Sequence, residues 1–548
     1  MRAPLIATLM VLSGTTAAAD ELDGLSRDFW EWRRASQPLT GDDIPRIDRP
    51  KDWVPDWSPE SFAARIEALT ELEVRYLKLD PGSWPISRKV DYRLIGSALA
   101  RARWELDVLR DWRRNPLFYH QQTLGSIFEV LLPPPPVDDE RKKQVLLRAR
   151  EIPRTIEAAK RNLDEGVAPF ARLTIASLDG VRGRLEAVAR ELSLDFEDAI
   201  VALESYRAWL QERLSGMPEA TAVGRGRYQY FLHHVALLPY TPEELVLLAR
   251  QEWERSVAFE GYESLRNREL PELPYFPTQK AQIEAEVRDE EAIRRFLEGK
   301  DILTVPDWMK HYRNLPLPPY LRPLSHLGVN DDLTSDTRLT ENGTAYIPEP
   351  SPDLPYFYRA IARDPRPIIV HEGVPGHYFQ LALSWAHENP IRRRYYDSGA
   401  NEGIGFYAEE MMLQMGLFDD RPRVREILYN FMRLRALRVE VDVKLGLGEF
   451  TIDQAADYLE TRVPMDRQTA REEAAFFASS PGQAISYQIG KIQIVKLLAD
   501  ARTREGEGFR LRRFHDFLWK NGNVPIALQR WEYLDDPSDV EKLDSFQR

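Results

Sequence analysis

The chain has 548 residues, 43% of them hydrophobic and 29% charged, the balance of a globular protein with ample material for a core. Its formal net charge of −13 argues against general nucleic-acid binding. The sequence holds no cysteine, which excludes disulfides, thiol catalysis and a lipid-bearing cysteine within it and leaves His, Asp and Glu as the available metal ligands.

The first residues read as a secretory leader. Arg2 supplies a positive start, residues 5–12 are apolar but too few to span a bilayer, and Ala17-Ala18-Ala19 precede Asp20. A leader over residues 1–19, cleaved near Ala19-Asp20, implies a periplasmic or secreted protein with no stable membrane insertion. Up to Trp57 the chain is rich in Pro, Asp and Trp and is expected to wrap other elements. Ser58-Pro59-Glu60 then predicts a helix start, with a capping hydroxyl and a proline in the first turn, and Asp80-Pro81-Gly82 a stop. A second helix is expected over residues 91–112, and helical patterns over 140–214 with interruptions near Pro153 and Pro169.

Thr241-Pro242-Glu243-Glu244 spells a capping box for a helix through Glu254, and residues 281–298 also carry helical periodicity. Residues 306–323 are proline-rich and predict an irregular connection between two halves. Gly343-Thr344-Ala345-Tyr346-Ile347-Pro348 is one of few strand signals: either an edge strand able to pair with an extended peptide, or an ordinary loop strand. From Tyr356 onward helix follows helix, with a second capping box at Thr451 and a last short helix after Pro525. The expected fold is mainly α with at most a small β element.

The most informative stretch is Val370-His371-Glu372-Gly373-Val374-Pro375-Gly376-His377-Tyr378. Two imidazoles that bind a metal, beside a Glu that takes a proton from water, form a common hydrolytic set. The usual H-E-x-x-H spacing puts both His on one helical face, whereas His377 follows His371 by six positions, about 120° away on an ideal helix. A break at Pro375-Gly376 could swing His377 back. The alternative is two His flanking a turn and binding nothing.

This motif is followed by Asn401-Glu402-Gly403-Ile404-Gly405-Phe406-Tyr407-Ala408-Glu409-Glu410 and by Pro481-Gly482-Gln483-Ala484-Ile485-Ser486-Tyr487-Gln488-Ile489-Gly490. The three ordered segments resemble the bacterial "domain of unknown function 885" family, with its H-E-x-x-P-G-H, E-G-x-x-x-Y-x-E and P-G-Q-A-x-x-Y-x-I-G patterns. The resemblance implies a zincin-like metallopeptidase with a two-lobed, gluzincin-like helical body and a deep channel. In that frame residues 20–330 form the N-terminal helical part and 331–548 the metal-binding part of one integrated domain. His371, His377 and Glu402 would hold one zinc ion, or another divalent metal. Glu372 would be the general base, Tyr487 the oxyanion donor, and Glu409 a support for a ligating His. Arg438 and Asp442, one turn apart, match the family's R-x-x-x-D and are expected to form a buried pair. The chain departs from the family at Gly446 and Tyr378, where a His is common.

The leading expectation is thus a zinc metallopeptidase acting on short peptides. Alternatives are a zinc amidohydrolase for a non-peptide or cell-wall amide, and a non-catalytic periplasmic binding protein. His233 and His234 lie among apolar neighbours and read as structural. His120, His311, His326, His387 and His515 have no second ligand at metal spacing.

Overall fold

The computed structural model describes residues 5–39 and 47–546, with side chains from residue 21. Of the expected leader, only the backbone from Leu5 falls among them, as the start of a helix Leu5–Ser36. Among the described residues no helix is long and apolar enough to cross a membrane.

Helices make up most of the chain, and local chemistry sets many of their ends. Ser58 caps Pro59–Leu77 by accepting from Ser61 N–H, and Thr241 and Thr451 both form complete capping boxes. Tertiary packing overrides some sequence signals. Pro153 lies inside the helix Asp139–Asn162 instead of interrupting it, and Leu163 marks the end. The capping box at Thr241 opens α1 (Pro242–Arg266), which runs well past Glu254 because α5 (Arg423–Leu447) packs along it. The helix expected over 91–112 is instead Ile86–Arg103, followed by a π-helical stretch Trp104–Leu109. The helix Ile526–Leu534 after Pro525 is not the last, since Ser538–Phe546 follows.

The largest apolar cluster joins Leu22, Trp57 and Tyr119 near the N-terminus to Tyr346, Tyr395, Leu528 and Leu543. A second one gathers Val370, Val374, Phe379, Phe406, Ile494 and Trp519 around the motif. Against α2 (Gln279–Gly299), whose Ile293 and Leu297 join this second cluster, packs a three-stranded sheet in the order β1-β3-β2, with β1 Tyr312–Pro316, β2 Asp331–Asp332 and β3 Gly343–Ile347. The strand expected at Gly343 is present, but it is the central strand, parallel to β1 (Tyr312↔Gly343) and antiparallel to β2 (Asp331↔Ala345). Its two edges are therefore taken, which rules out the edge-strand reading. The proline-rich stretch expected to be irregular supplies β1, whose pairing comes from residues 31 positions away.

Candidate metal centre

Residues Ile369–Gly373 form one π-helical turn, closed by Val374 N–H donating to Ile369 O at 2.8 Å. Val374 is extended, Pro375 has no N–H to continue a helix, and a new helix, α3 (His377–Trp385), begins at His377. The two imidazoles thus sit on separate helices, and the six-residue spacing is no obstacle. Gly376 makes the reversal possible: a Cβ there would lie 1.7 Å from His371 O. Trp519, on α8 (Leu511–Lys520), braces the break by donating its indole N–H to Pro375 O at 2.7 Å.

Each of His371, His377 and Glu402 offers one ligand atom to a group whose atoms all lie within 4.8 Å of one another. Glu402 comes from α4 (Ser398–Gln414), and its Oε2 is 3.4 Å from His371 Nε2 and 3.1 Å from His377 Nε2. All three residues are buried. Gly405 lets α4 approach, since a Cβ there would stand 3.1 Å from Cε1 of both imidazoles. Gly403 serves a different contact, against Gly490 on α7 (Ile485–Glu505), where its Cβ would be 2.7 Å from the Gly490 Cα.

The donor chemistry fits a divalent cation. His371 Nδ1 is 2.7 Å from Glu409 Oε1 and 3.4 Å from Arg435 Nη2, while its Nε2 faces Glu402. Burial works to raise the Glu402 pKa, yet His377 and His371 overcome it and hold the carboxyl well below its ordinary range. Glu402 Oε2 is buried and accepts no hydrogen bond. A buried carboxylate oxygen with two imidazole nitrogens converging on it is a costly arrangement that a cation between them would relieve. Two imidazoles and one carboxylate are a borderline N/O set, suited to zinc and its neighbours.

Glu372 stands beside this group, its Oε2 3.9 Å from His377 Nε2, with 24% of its side chain exposed where the others are closed off. Tyr312 packs on the adjoining Gly373, where a Cβ would be 2.8 Å from its ring. The hydroxyls of Tyr312 and Tyr358 are both pushed up, first by burial and also by the charges of Glu372 and Asp331. Tyr487, on α7, stacks its ring parallel to that of His371, with centroids 6.2 Å apart. The guanidinium of Arg438 lies over the ring of that phenol, 4.7 Å from its centroid.

Arg438 and Asp442 do not pair. Arg438 forms a bidentate bridge to Glu473, at 2.6 and 2.7 Å, on α6 (Arg467–Ser479). Asp442 accepts from Gly482 N–H at 2.8 Å, Ala484 N–H at 2.7 Å and the Tyr228 hydroxyl at 2.9 Å. It holds the turn from which α7 carries Tyr487 to the centre. At Gly446 a Cβ would meet the Tyr228 ring at 2.5 Å, so Tyr228 occupies the room a His would need. Tyr378 is buried under Gly343 of β3 and ties α3 to the sheet.

Sequence reasoning missed Arg435, which reaches Glu409 at 2.9 Å, and Trp519. Arg435, Arg438 and Asp442 share one side of α5, a spacing that could have flagged the first. The other imidazoles are engaged elsewhere: His120 with Ser177, His311 with Glu290, and His515 with Tyr407 and Ile302.

A family model for bacterial proteins of unknown function, DUF885, matches residues 40–259 and 344–531. Two solved structures share the fold. One, described as "a putative lipoprotein of unknown function from Shewanella oneidensis", has a TM-score of 0.70 at 16% identity and covers 94% of this chain and 99% of its own. The other, "the putative lipoprotein from Colwellia psychrerythraea", has a TM-score of 0.71 at 16% identity, with coverage of 97% and 99%. No curated protein matches the chain.

Proposed function

Since the chain belongs to the DUF885 family of bacterial proteins of unknown function, which prescribes no activity, we propose from its own residues that it is a zinc-dependent metallopeptidase acting on short peptides. The observation that carries this reading is the convergence of the buried Glu402 Oε2 atom on two imidazole Nε2 atoms at 3.1 and 3.4 Å, with no hydrogen bond to that oxygen. His371, His377 and Glu402 would hold the ion. When bound, a divalent metal would acidify water and polarise an amide carbonyl.

The protein's residues supply the rest. Glu372, a partly open carboxylate beside the group, accepts a proton from the attacking water and returns it to the departing amine. Tyr487 donates its hydroxyl to the oxygen that gains negative charge at the scissile carbon, a role suited to a rigid phenol at the centre's rim. Arg438 and Asp442 keep that phenol in place from two sides. Glu409, itself gripped by Arg435, orients His371 and raises the basicity of its Nε2. An extracytoplasmic location accords with the leader-like N-terminus and with the description of both structural relatives as lipoproteins.

The test is metal analysis of the purified protein, followed by incubation with a defined mixture of short peptides, with and without chelator. Stoichiometric metal and chelator-sensitive cleavage are expected. Stoichiometric metal with no peptide cleaved, but with a non-peptide amide hydrolysed, would replace peptidase by amidohydrolase. Failure to retain any divalent metal would overturn the reading.

A further inference from the structure

In the N-terminal part, well apart in sequence from the motif, three arginines are packed against tryptophan rings. Arg49 lies 4.3 Å from the Trp53 ring centroid, Arg148 5.4 Å from the same ring, and Arg65 4.3 Å from that of Trp57. Arg65 and Arg148 are buried, at 9% and 6% exposure, and Arg65 Nη1, Arg49 Nε, Arg148 Nε and Trp57 Nε1 have no hydrogen-bond partner. Among the described residues none of the three guanidiniums forms an ion pair, although the chain pairs most of its other buried arginines: Arg33 with Glu105, Arg366 with Asp364, Arg392 with Asp91, Arg435 with Glu409 and Arg438 with Glu473.

The three charges also act on one another. Burial lowers the pKa of Arg49 and of Arg65 to about 10, and the neighbouring guanidiniums push the same way. Glu129 offsets part of the charge on Arg49 and Arg148, and Asp56 part of that on Arg65, but Asp56 is bridged to Arg154 at 3.2 Å. Buried cations that repel one another and form no ion pair among the described residues are unfavourable unless an anion completes them. Unfilled N–H donors on guanidiniums within electrostatic reach of one another suit a tetrahedral oxyanion better than a carboxylate, because a phosphate group carries about −1.5 to −2 charge and three acceptor oxygens.

We propose that Arg49, Arg65 and Arg148, with the Trp53 and Trp57 indoles beneath them, form a binding site for a small free phosphate-type anion, separate from the metal centre. Burial of Arg65 and Arg148 excludes a bilayer headgroup, which would need them at the surface.

The experiment is titration of the full-length protein with inorganic phosphate at constant ionic strength and pH, held with chloride, read by tryptophan fluorescence and by Tm. A saturable fluorescence change is expected from the two indoles, with a rise in Tm of about 1–3 °C at tenfold the Kd. Arg65→Met and Arg148→Met should each weaken phosphate binding at least about tenfold, the loss of one charged hydrogen-bonding group. Arg172→Met, at an exposed guanidinium paired with Glu219, should not. An equal response to chloride or acetate, or no saturable response in the wild-type protein, would overturn the site. So would unaltered phosphate affinity in both buried-arginine variants. If either variant fails to fold, the wild-type titration against chloride and acetate decides alone.

Discussion

His371 Nδ1 and Glu409 Oε1 stand 2.7 Å apart inside the protein, and the same carboxylate is held by Arg435 at 2.9 Å. The carboxylate meets the imidazole at Nδ1, which leaves Nε2 for the metal proposed above. Glu409→Gln keeps the shape but loses the charge, so metal affinity should fall about 10–100-fold with the fold intact. His377→Ala, by contrast, should abolish stoichiometric metal. Metal titration by calorimetry, with circular dichroism as the folding control, separates the two.

Glu372→Gln should leave metal content unchanged and lower turnover by about 10²-fold or more, since it removes the base and no ligand. Tyr487→Phe should cost about 10²–10³ in kcat with a smaller change in KM. Both are read with a peptide found to be cleaved by the wild-type protein. Wild-type turnover in Glu372→Gln would exclude the proposed mechanism whatever the metal content.

Gly376→Ala should be far more damaging than an ordinary surface substitution. The added methyl would collide with the His371 carbonyl, so the loop must move and carry His377 away from Glu402. The expected outcome is loss of metal binding with most of the helical signal retained in circular dichroism. Undiminished affinity would show that the loop can re-form around a side chain.

Much of this centre was legible in the sequence, and the reasons are local. Pro375 and Gly376 act on their own backbone, so a helix break between the two His could be expected without knowing its surroundings. The capping boxes at Thr241 and Thr451 are local in the same sense. What could not be read depends on residues far along the chain. The i,i+4 spacing of Arg438 and Asp442 suggested a pair, but each side chain meets a different neighbour, Glu473 on one side and the Gly482 turn on the other. Likewise β1 lies in a proline-rich stretch whose strand character comes only from pairing with β3.

Acid should destabilise the protein through His515. It is fully buried and neutral, Nδ1–H donating to Ile302 O at 2.8 Å and Nε2 facing the Tyr407 hydroxyl at 2.9 Å. Burial depresses its pKa to about 4. The unfolded chain takes up the proton first, near pH 6.5, so this contribution is whole above that value and is lost as pH falls toward 4. The loss is on the order of 3 kcal/mol at most. Urea unfolding of wild type and His515→Gln between pH 4 and 7.5 should show a shallower pH slope in the variant. Parallel slopes would mean His515 is already protonated in the folded state.

The indole of Trp519 that braces Pro375 lies 144 residues further along the chain. A ribosome therefore delivers every proposed ligand long before it delivers the brace. Chains arrested before Leu511 should hold His371, His377 and Glu402 yet bind metal weakly, which makes loading an event that follows synthesis rather than one that accompanies it. A nascent chain would thereby be kept from completing the proposed centre while its own unfolded segments are still within reach.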